Sequence, residues 1–341
     1  MLRLFIITCG FLASIAFALV YGWNWLSSWV VTPLPLAAPA IIELPKGGGL
    51  EKLATDLERQ NVISEKKLFH YWVRLTGGFQ KFQAGTYRFD KAVSPKEIIE
   101  TISAGKTYEP TVLEYTIPEG FTLEKTFNRL VANGVGKLED YEKLATDTEF
   151  LASIKIPGSS LEGFIYPATY SYVKMPTPRS AITHMVETFW KRLPENYLED
   201  IKKLGLSLKN AVTFASLIEL ETNLDSERAY VSEVIWSRLK NGEPLAIDAA
   251  LIYGIKDYDG DIKWKHLKDR QNPYNTRVHK GLPPTPVGAP SVASLLAVLS
   301  PSNEGYYYYV LIPGTNRHHF SKSLREHQRH VQNLIKATKN R

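Results

Sequence analysis

Residues 214–223 read FASLIELETN and set two carboxylic acids, Glu219 and Glu221, in an otherwise apolar run. Extended back to Leu208, the stretch LKNAVTFASLIELET has no Gly and no Pro, so its pattern predicts a helix that other elements cover on most sides. At about 100° per residue, Glu221 falls between Phe214, Leu217 and Ile218, whereas Glu219 falls with Val212, Ser216 and Asn223. The carboxyls then point in different directions, which argues against a paired-carboxylate site made by these two alone. An acid among apolar side chains is desolvated, and its pKa rises. A carboxyl kept protonated near neutrality is what general acid catalysis requires. A buried ion pair with Arg228 or Arg238 on the following helix would explain Glu221 equally well, and periodicity leaves both readings open.

Two other groupings have chemical potential. His318, His319, His327 and His330 are close in sequence, but their spacing matches no common ligand pattern and no Cys or Asp stands nearby, so no metal and no other cofactor is expected. The glycines of KGGGLEK lack the Lys-Ser/Thr ending of a phosphate-binding loop.

The elements that position these residues begin after an apolar leader. No charge occurs from Leu4 to Ile42, and LFIITCGFLASIAFALVYGW has about the ~20 residues needed to cross a bilayer. Arg3 precedes the run and the next cation is Lys46, so the N-terminus is expected in the cytoplasm and the remainder outside. Trp23, Trp25 and Trp29 would then mark the outer interface. Ala16-Phe17-Ala18 has the form of a cleavage site, but the apolar run continues past it, which favours an uncleaved anchor. Cys9, the only cysteine, lies in this segment and reads as a small apolar residue, so the exported part has no disulfide to rely on.

Four stretches follow: residues 1–31 as anchor and flank, 32–41 as an extended Pro/Ala spacer that lifts the rest off the membrane, 42–110 as a small α+β module, and 111–341 as a larger mixed α/β domain. In the module, IIELPKG and KFQAGTYRF read as strands, GLEKLATDLERQN and SEKKLFHYWVRLT as amphipathic helices, and SPKEIIETISA as a Ser-capped helix closed by Gly105. Tyr71 and Trp72 are expected in its core. The larger region opens with a strand, a turn at Pro118-Glu119-Gly120 and a capped helix, and ends in long loops rich in Asn, Pro and Tyr of the kind that line sites. The net charge of +6 would suit an anionic polymer or membrane surface. Lys and Arg are nevertheless interleaved with acids, and no nucleic-acid motif accompanies them, so no nucleic-acid partner is expected.

SLIELETN resembles the glutamate helix of lysozyme-like lytic transglycosylases, where Ser or Thr follows the catalytic Glu. With FQAGTYRF, LEGFIYPATYSY, SERAYVSEVIWSRL, IDAALIYG, NPYNTRVHKGLPPTPVGAPS and HHFSKSLREHQ in this order, the chain resembles the YceG-like endolytic murein transglycosylases over almost its whole length. The resemblance implies a membrane-anchored α+β protein with a LysM-like module at 42–110 and a catalytic domain at 111–341. It implies cleavage of the MurNAc-GlcNAc β-1,4 bond within nascent glycan strands, without water, leaving 1,6-anhydromuramyl ends. An intramolecular attack by the sugar's C6 hydroxyl needs a single carboxyl, whereas glycoside hydrolysis usually needs two.

The second Glu of the family's E-x-E-[ST] string falls on Glu221, which makes Glu221 catalytic and Glu219 supporting. Asp248, Tyr253, Tyr274 and Asn275 lie in matching loops and would hold sugar hydroxyl and acetamido groups, or order those loops. His318, Phe320 and His327 would order the C-terminal segment. The chain departs from the family at Ala168, where an acid is usual, and in TPVGAPS after GLPP. The implied partners are peptidoglycan strands, the inner membrane and peptidoglycan synthases. Two alternatives are a non-catalytic peptidoglycan-binding scaffold, which would tolerate Glu221→Gln, and a metal-dependent hydrolase, which a chelator would stop.

Overall fold

The computed structural model describes the backbone of residues 2–339 and the side chains of residues 10–338. The side chain of Cys9 lies outside that range. The chain divides into two compact units, Met1–Pro110 and Thr111–Arg341, each a mixture of helices and two-stranded sheets.

The first unit opens with α1 (Leu2–Val31), unbroken at Ala16-Phe17-Ala18. Its stretch Gly10–Val31 is long and apolar enough to cross a membrane. The module follows as β1 (Ala40–Leu44), α2 (Leu50–Arg59), α3 (Lys66–Leu75), β2 (Gly85–Phe89) and α4 (Pro95–Ser103). β1 and β2 pair antiparallel, with Ala40 opposite Phe89 and Leu44 opposite Gly85. The period of two turns Ala40, Ile42 and Leu44 inward against Leu53, Leu57, Phe69, Val73, Ile98 and Ile102. A capping box starts α4: the Ser94 hydroxyl accepts from the Glu97 N–H, and the Glu97 carboxylate accepts from the Ser94 N–H at 2.8 Å.

Two expectations for this unit are corrected. Tyr71 is 71% exposed, because α3 buries Phe69 and Val73 and Tyr71 falls on the opposite face. Residues 32–41 are not a free spacer: Leu34 and Val93 exchange backbone hydrogen bonds of 3.0 and 3.3 Å, and Leu36 packs on the module core. The end of α1 is tied down as well, with Val30 buried, the Trp29 indole N–H donating to Ser64 Oγ at 3.0 Å, and Trp23 packed on Trp72 with ring centroids 5.8 Å apart.

The second unit runs β3 (Leu113–Thr116), α5 (Leu123–Ala132), α6 (Leu138–Thr146), α7 (Thr148–Ser153), β4 (Thr169–Tyr172), α8 (Pro178–Arg192) and α9 (Tyr197–Lys203). It continues through α10 (Leu208–Glu221), α11 (Asp225–Lys240), α12 (Asp248–Tyr253), α13 (Trp264–Leu267), α14 (Val292–Leu299), β5 (Tyr308–Leu311), β6 (His318–Ser321) and α15 (Leu324–Lys339). β3 pairs with β4 and β5 with β6, both antiparallel. α10 is the axis of this unit. Every residue from Ala211 to Glu219 is buried, under α14 and α11 with α9 and α12 also in contact. Ser207 caps its start by accepting from the Asn210 N–H, and Phe214 meets Trp236 of α11 edge to face. Inside this cover Ser216 is satisfied locally: its hydroxyl donates to the Thr213 carbonyl and accepts from the Val287 N–H.

Candidate functional site

The buried face of α10 carries Glu219 to the interior, and the last helical residue, Glu221, reaches the surface as the cover ends. Glu219 is the deeper acid. Its Oε2 accepts from the Ser291 N–H at 2.8 Å and the Ser291 hydroxyl at 2.5 Å, and lies 3.2 Å from the Arg228 guanidinium. Both side chains of that ion pair are almost wholly buried. Arg228 also holds Ser294 Oγ at 2.6 Å and Asp225 at 3.0 Å. The buried pair with Arg228 that was a possibility for Glu221 therefore belongs to Glu219, because the two acids leave the helix about 200° apart.

Glu221 lacks a bonded cation among the described residues. Burial above all pushes its carboxyl up to about 6; the neighbouring Tyr309 phenol works against this, the Asp248 charge adds to it, and His318 and Arg277 oppose it. Its place at the C-terminal end of α10, where the last turn has no basic residue, adds the partial negative charge of the helix terminus. The Tyr309 hydroxyl is in turn driven well above its ordinary value by burial and by Glu221.

Glu221 stands where two cavities meet. One, of about 570 Å³, is lined by Glu119, Glu219, Glu221, Asn223, Asn316 and His318 among others. The other, of about 370 Å³, is lined by Glu221, Arg238, Asp248, Arg277, Tyr309 and His318 among others. Glu221, Leu311 and His318 line both. A larger cavity of about 670 Å³ in the first unit is lined by Arg88, Asp90, Glu97 and Lys106, and Arg88 is already paired with Asp90 there. Size alone therefore does not mark the chemistry, nor does a raised carboxyl alone, since burial pushes Glu162 up to about 7 outside both cavities; Glu221 joins a raised carboxyl to a place in both.

Of the residues matched by resemblance, Asp248 faces the smaller cavity at the first turn of α12, where its Oδ1 accepts from Arg277 Nε and Nη2 at 2.9 and 2.6 Å. Asn275 is corrected: it is fully buried, and its amide donates to the carbonyls of His266 and Asp269 while its oxygen accepts from the Arg277 N–H. All its polar atoms are spent on ordering the loop that carries Arg277. The rings of Tyr253 and Tyr274 meet at a tilt of 60° with centroids 4.8 Å apart; the Tyr253 hydroxyl donates to Glu162 at 2.8 Å and the Tyr274 hydroxyl pairs with Thr285 at 2.9 Å. Neither tyrosine lines the two cavities.

Sequence reasoning missed three groups. His318 was expected only to order the chain, but its Nδ1 lies 2.8 Å from Glu227 Oε2 and its backbone N–H donates to Glu227 Oε1 at 3.0 Å. Glu227 is buried and also accepts from the Thr222 hydroxyl at 3.2 Å, so one carboxylate joins the residue after Glu221 to the imidazole that shares its cavities. Tyr309 is the phenol beside Glu221, in the Tyr-rich stretch YYYY whose individual members no pattern separates. Glu119 lines the larger cavity, and its carboxyl is raised by desolvation and then by the Glu219 charge. The turn carrying Glu119 is clamped: the Gly120 N–H donates to the Ala289 carbonyl, and a Cβ on Gly288 would lie 2.7 Å from the Gly120 oxygen. Only glycine fits at 288 with that turn in place.

The C-terminal histidines do not converge. His327 stacks on Tyr308 and His330 on His319, and among the described residues no group of three or more His, Cys, Asp or Glu is placed to hold a metal ion.

Residues 42–333 match the sequence model of the YceG-like family. The chain is 28% identical over 313 residues to an endolytic murein transglycosylase of Bacillus subtilis (strain 168), covering 87% of this chain and 85% of that protein. It is 25% identical over 331 residues to a protein of the same name from Streptococcus pneumoniae (strain D39), covering 88% of this chain and 59% of that longer one. The crystal structure of a yceG-like protein from Listeria monocytogenes superposes with a TM-score of 0.58 at 29% identity, covering 85% of this chain and 98% of that one.

Proposed function

This chain belongs to the YceG-like family, and from that membership we propose that it is a lytic transglycosylase that cuts the MurNAc-GlcNAc β-1,4 bond inside nascent peptidoglycan strands. The observation that carries the reading is the single carboxyl raised to about 6 at the junction of two cavities. A glycan threaded through both would bring a glycosidic oxygen to Glu221. In its protonated form Glu221 gives the proton to that leaving oxygen, and the C1–O4 bond breaks. The sugar's own C6 oxygen closes on C1, and its proton returns to the carboxylate, which restores the acid. The product is a 1,6-anhydromuramyl end, and strand growth stops there. The relatives named endolytic murein transglycosylases support this reaction class.

In this reading α10 is the glutamate helix of a lysozyme-like site. Glu219, locked by Arg228 and Ser291, holds the end of α10 in place. Asp248 and Arg277 on one side and Asn316, Asn223 and Glu119 on the other meet sugar hydroxyl and acetamido groups. Residues 1–31 anchor the protein in the inner membrane with the N-terminus inside, the module at 42–110 is LysM-like, and 111–341 is the catalytic domain working outside the membrane beside the synthases that make the strands.

Digestion of glycan strands in oxygen-18 water tests the chemistry. Unlabelled anhydro ends are expected, because no solvent oxygen enters the product. Label at the new muramyl end would mean hydrolysis, and Asp248 or Glu119 would then be sought as the second carboxyl.

A further inference from the structure

The outward face of α3 is unusual for a small module. Lys67, Tyr71, Arg74 and Leu75 are all exposed, and their spacing of four, three and one sets them on one stripe of the helix. Tyr71 and Leu75 are 71% and 63% exposed, one turn apart. An aromatic and a leucine interleaved with two cations is the composition of a surface that lies in the boundary layer of a bilayer.

The position of α3 against α1 says where that stripe lies. Two contacts fix the pair: Trp29 with Ser64, just before α3, and Trp23 with Trp72 within it. Advancing along α3 thus means moving back along α1, so the helices run antiparallel. The distances are of the same order, since Trp23 and Trp29 are about 9 Å apart along α1 and Ser64 and Trp72 are about 12 Å apart along the chain at roughly 1.5 Å per residue. Leu75 lies a further ~4.5 Å on, level with Val20 and Tyr21, which belong to the uncharged apolar run. Tyr71 comes level with Trp23 and its neighbours. The C-terminal end of α3 therefore points toward the membrane and overlaps the depth of the anchor's last apolar turns.

We propose that the C-terminal half of α3 is a membrane-contact surface: Tyr71 and Leu75 enter the boundary layer of the outer leaflet beside α1, and Arg74 meets lipid phosphates. The occupant is the bilayer that the anchor itself crosses, because α3 lies against α1 at Trp23, within the segment Gly10–Val31. This rests on the reading of α1 as an anchor. It does not depend on what Glu221 does. The module is thereby seated on the membrane, which fits the tying of residues 32–41 to its own core.

The stripe supplies its own ruler. In a Cys9→Ala background, Lys67→Cys, Tyr71→Cys and Leu75→Cys each carry a polarity-sensitive dye on the full chain, reconstituted into vesicles of phosphatidylethanolamine and phosphatidylglycerol. A fraction of the lipid bears a nitroxide just below the headgroup. Quenching should be strongest at 75, weaker at 71 and near absent at 67. These positions are exposed, so the label displaces no core packing. A flat profile, or a dye blue-shifted at 71 and 75 yet unquenched by lipid, would overturn the seating; the latter would identify a protein partner on this face. A chain that alkaline washing strips from the vesicles would overturn the anchor reading itself, and the seating with it.

Discussion

Replacing Glu221 by Gln exchanges one oxygen for nitrogen and removes the only transferable proton. Glu221→Gln should therefore fold and bind strands yet lose roughly 10² to 10⁴ in cleavage rate, read as anhydro ends released by the purified protein; cleavage at the wild-type rate would move the chemistry elsewhere. Glu219→Gln breaks a buried pair with Arg228 and should show first as lost stability. The pH dependence follows from the carboxyl at about 6. The acid must be protonated to act, so turnover should hold below about 6 and fall as pH rises through that value. The Asp248 charge raises Glu221, so Asp248→Asn should move this limb to lower pH, and more so because it releases Arg277; an unmoved limb would mean that another group sets it. Stability carries the same sign. A carboxyl raised from 4.5 to about 6 on folding contributes fully below 4.5 and loses that contribution as pH rises through about 6. Glu221→Gln should consequently melt higher than wild type at pH 8, by roughly 2 kcal/mol at most, and no higher at pH 4. The family string pointed to Glu221, whereas its apolar neighbours misplaced it, because the most deeply buried face of α10 carries Glu219. The assignment of Arg228 was not legible, because helical angles order residues around one helix but do not say which face a neighbouring helix covers.

At the scale of elements, the site is a set of ends: the C-terminus of α10, the turn after β3, the first turn of α12 and the β5–β6 hairpin. Three of these ends are tied by buried acids. Glu227 ties α10 to β6 through Thr222 and His318, and Glu162 ties the start of α5 to α12 through the Leu123 N–H and the Tyr253 hydroxyl at 2.8 Å. Glu227→Gln keeps the shape but weakens the hold on the imidazole beside Glu221. A loss of up to ~10² in rate is expected from misplaced site groups, with melting changed little; an unchanged rate would reduce His318 to a purely structural residue. Glu162→Ala is the complementary case. It leaves two half-buried donors without their carboxylate, at up to about 1–3 kcal/mol each, so it should lower the melting temperature well before it alters catalysis at low temperature. Helices and strands were largely legible, because apolar spacing, Ser94, Thr122 and Ser207 mark them. Tyr71 was misread since an exposed aromatic and a core aromatic look alike in a ten-residue helix with several apolar positions. Asn275 was misread because a loop residue that orders a site and one that touches substrate share the same polarity; only its complete burial separates them.

For the whole molecule, the charges at the ends of the apolar run decide which side of the membrane the chemistry faces. Arg3 stands at one end, and the next cation is Lys46. Short flanking cations are retained in the cytoplasm, so the segment Gly10–Val31 should cross once with everything after it outside. In that orientation the contacts of Trp23 and Trp29 with the module would hold it at the outer face instead of letting it swing on a spacer. Cells fractionated without detergent should retain the full-length chain in the inner membrane through an alkaline wash. In spheroplasts, added protease should degrade the chain from the outside and leave a short fragment containing the first thirty or so residues. Protection of the whole chain would reverse the topology. A soluble mature protein beginning near residue 19 would mean cleavage after Ala16-Phe17-Ala18; it would remove the part of α1 that lies below Leu75, although Trp23, Trp29 and the packing they make would survive.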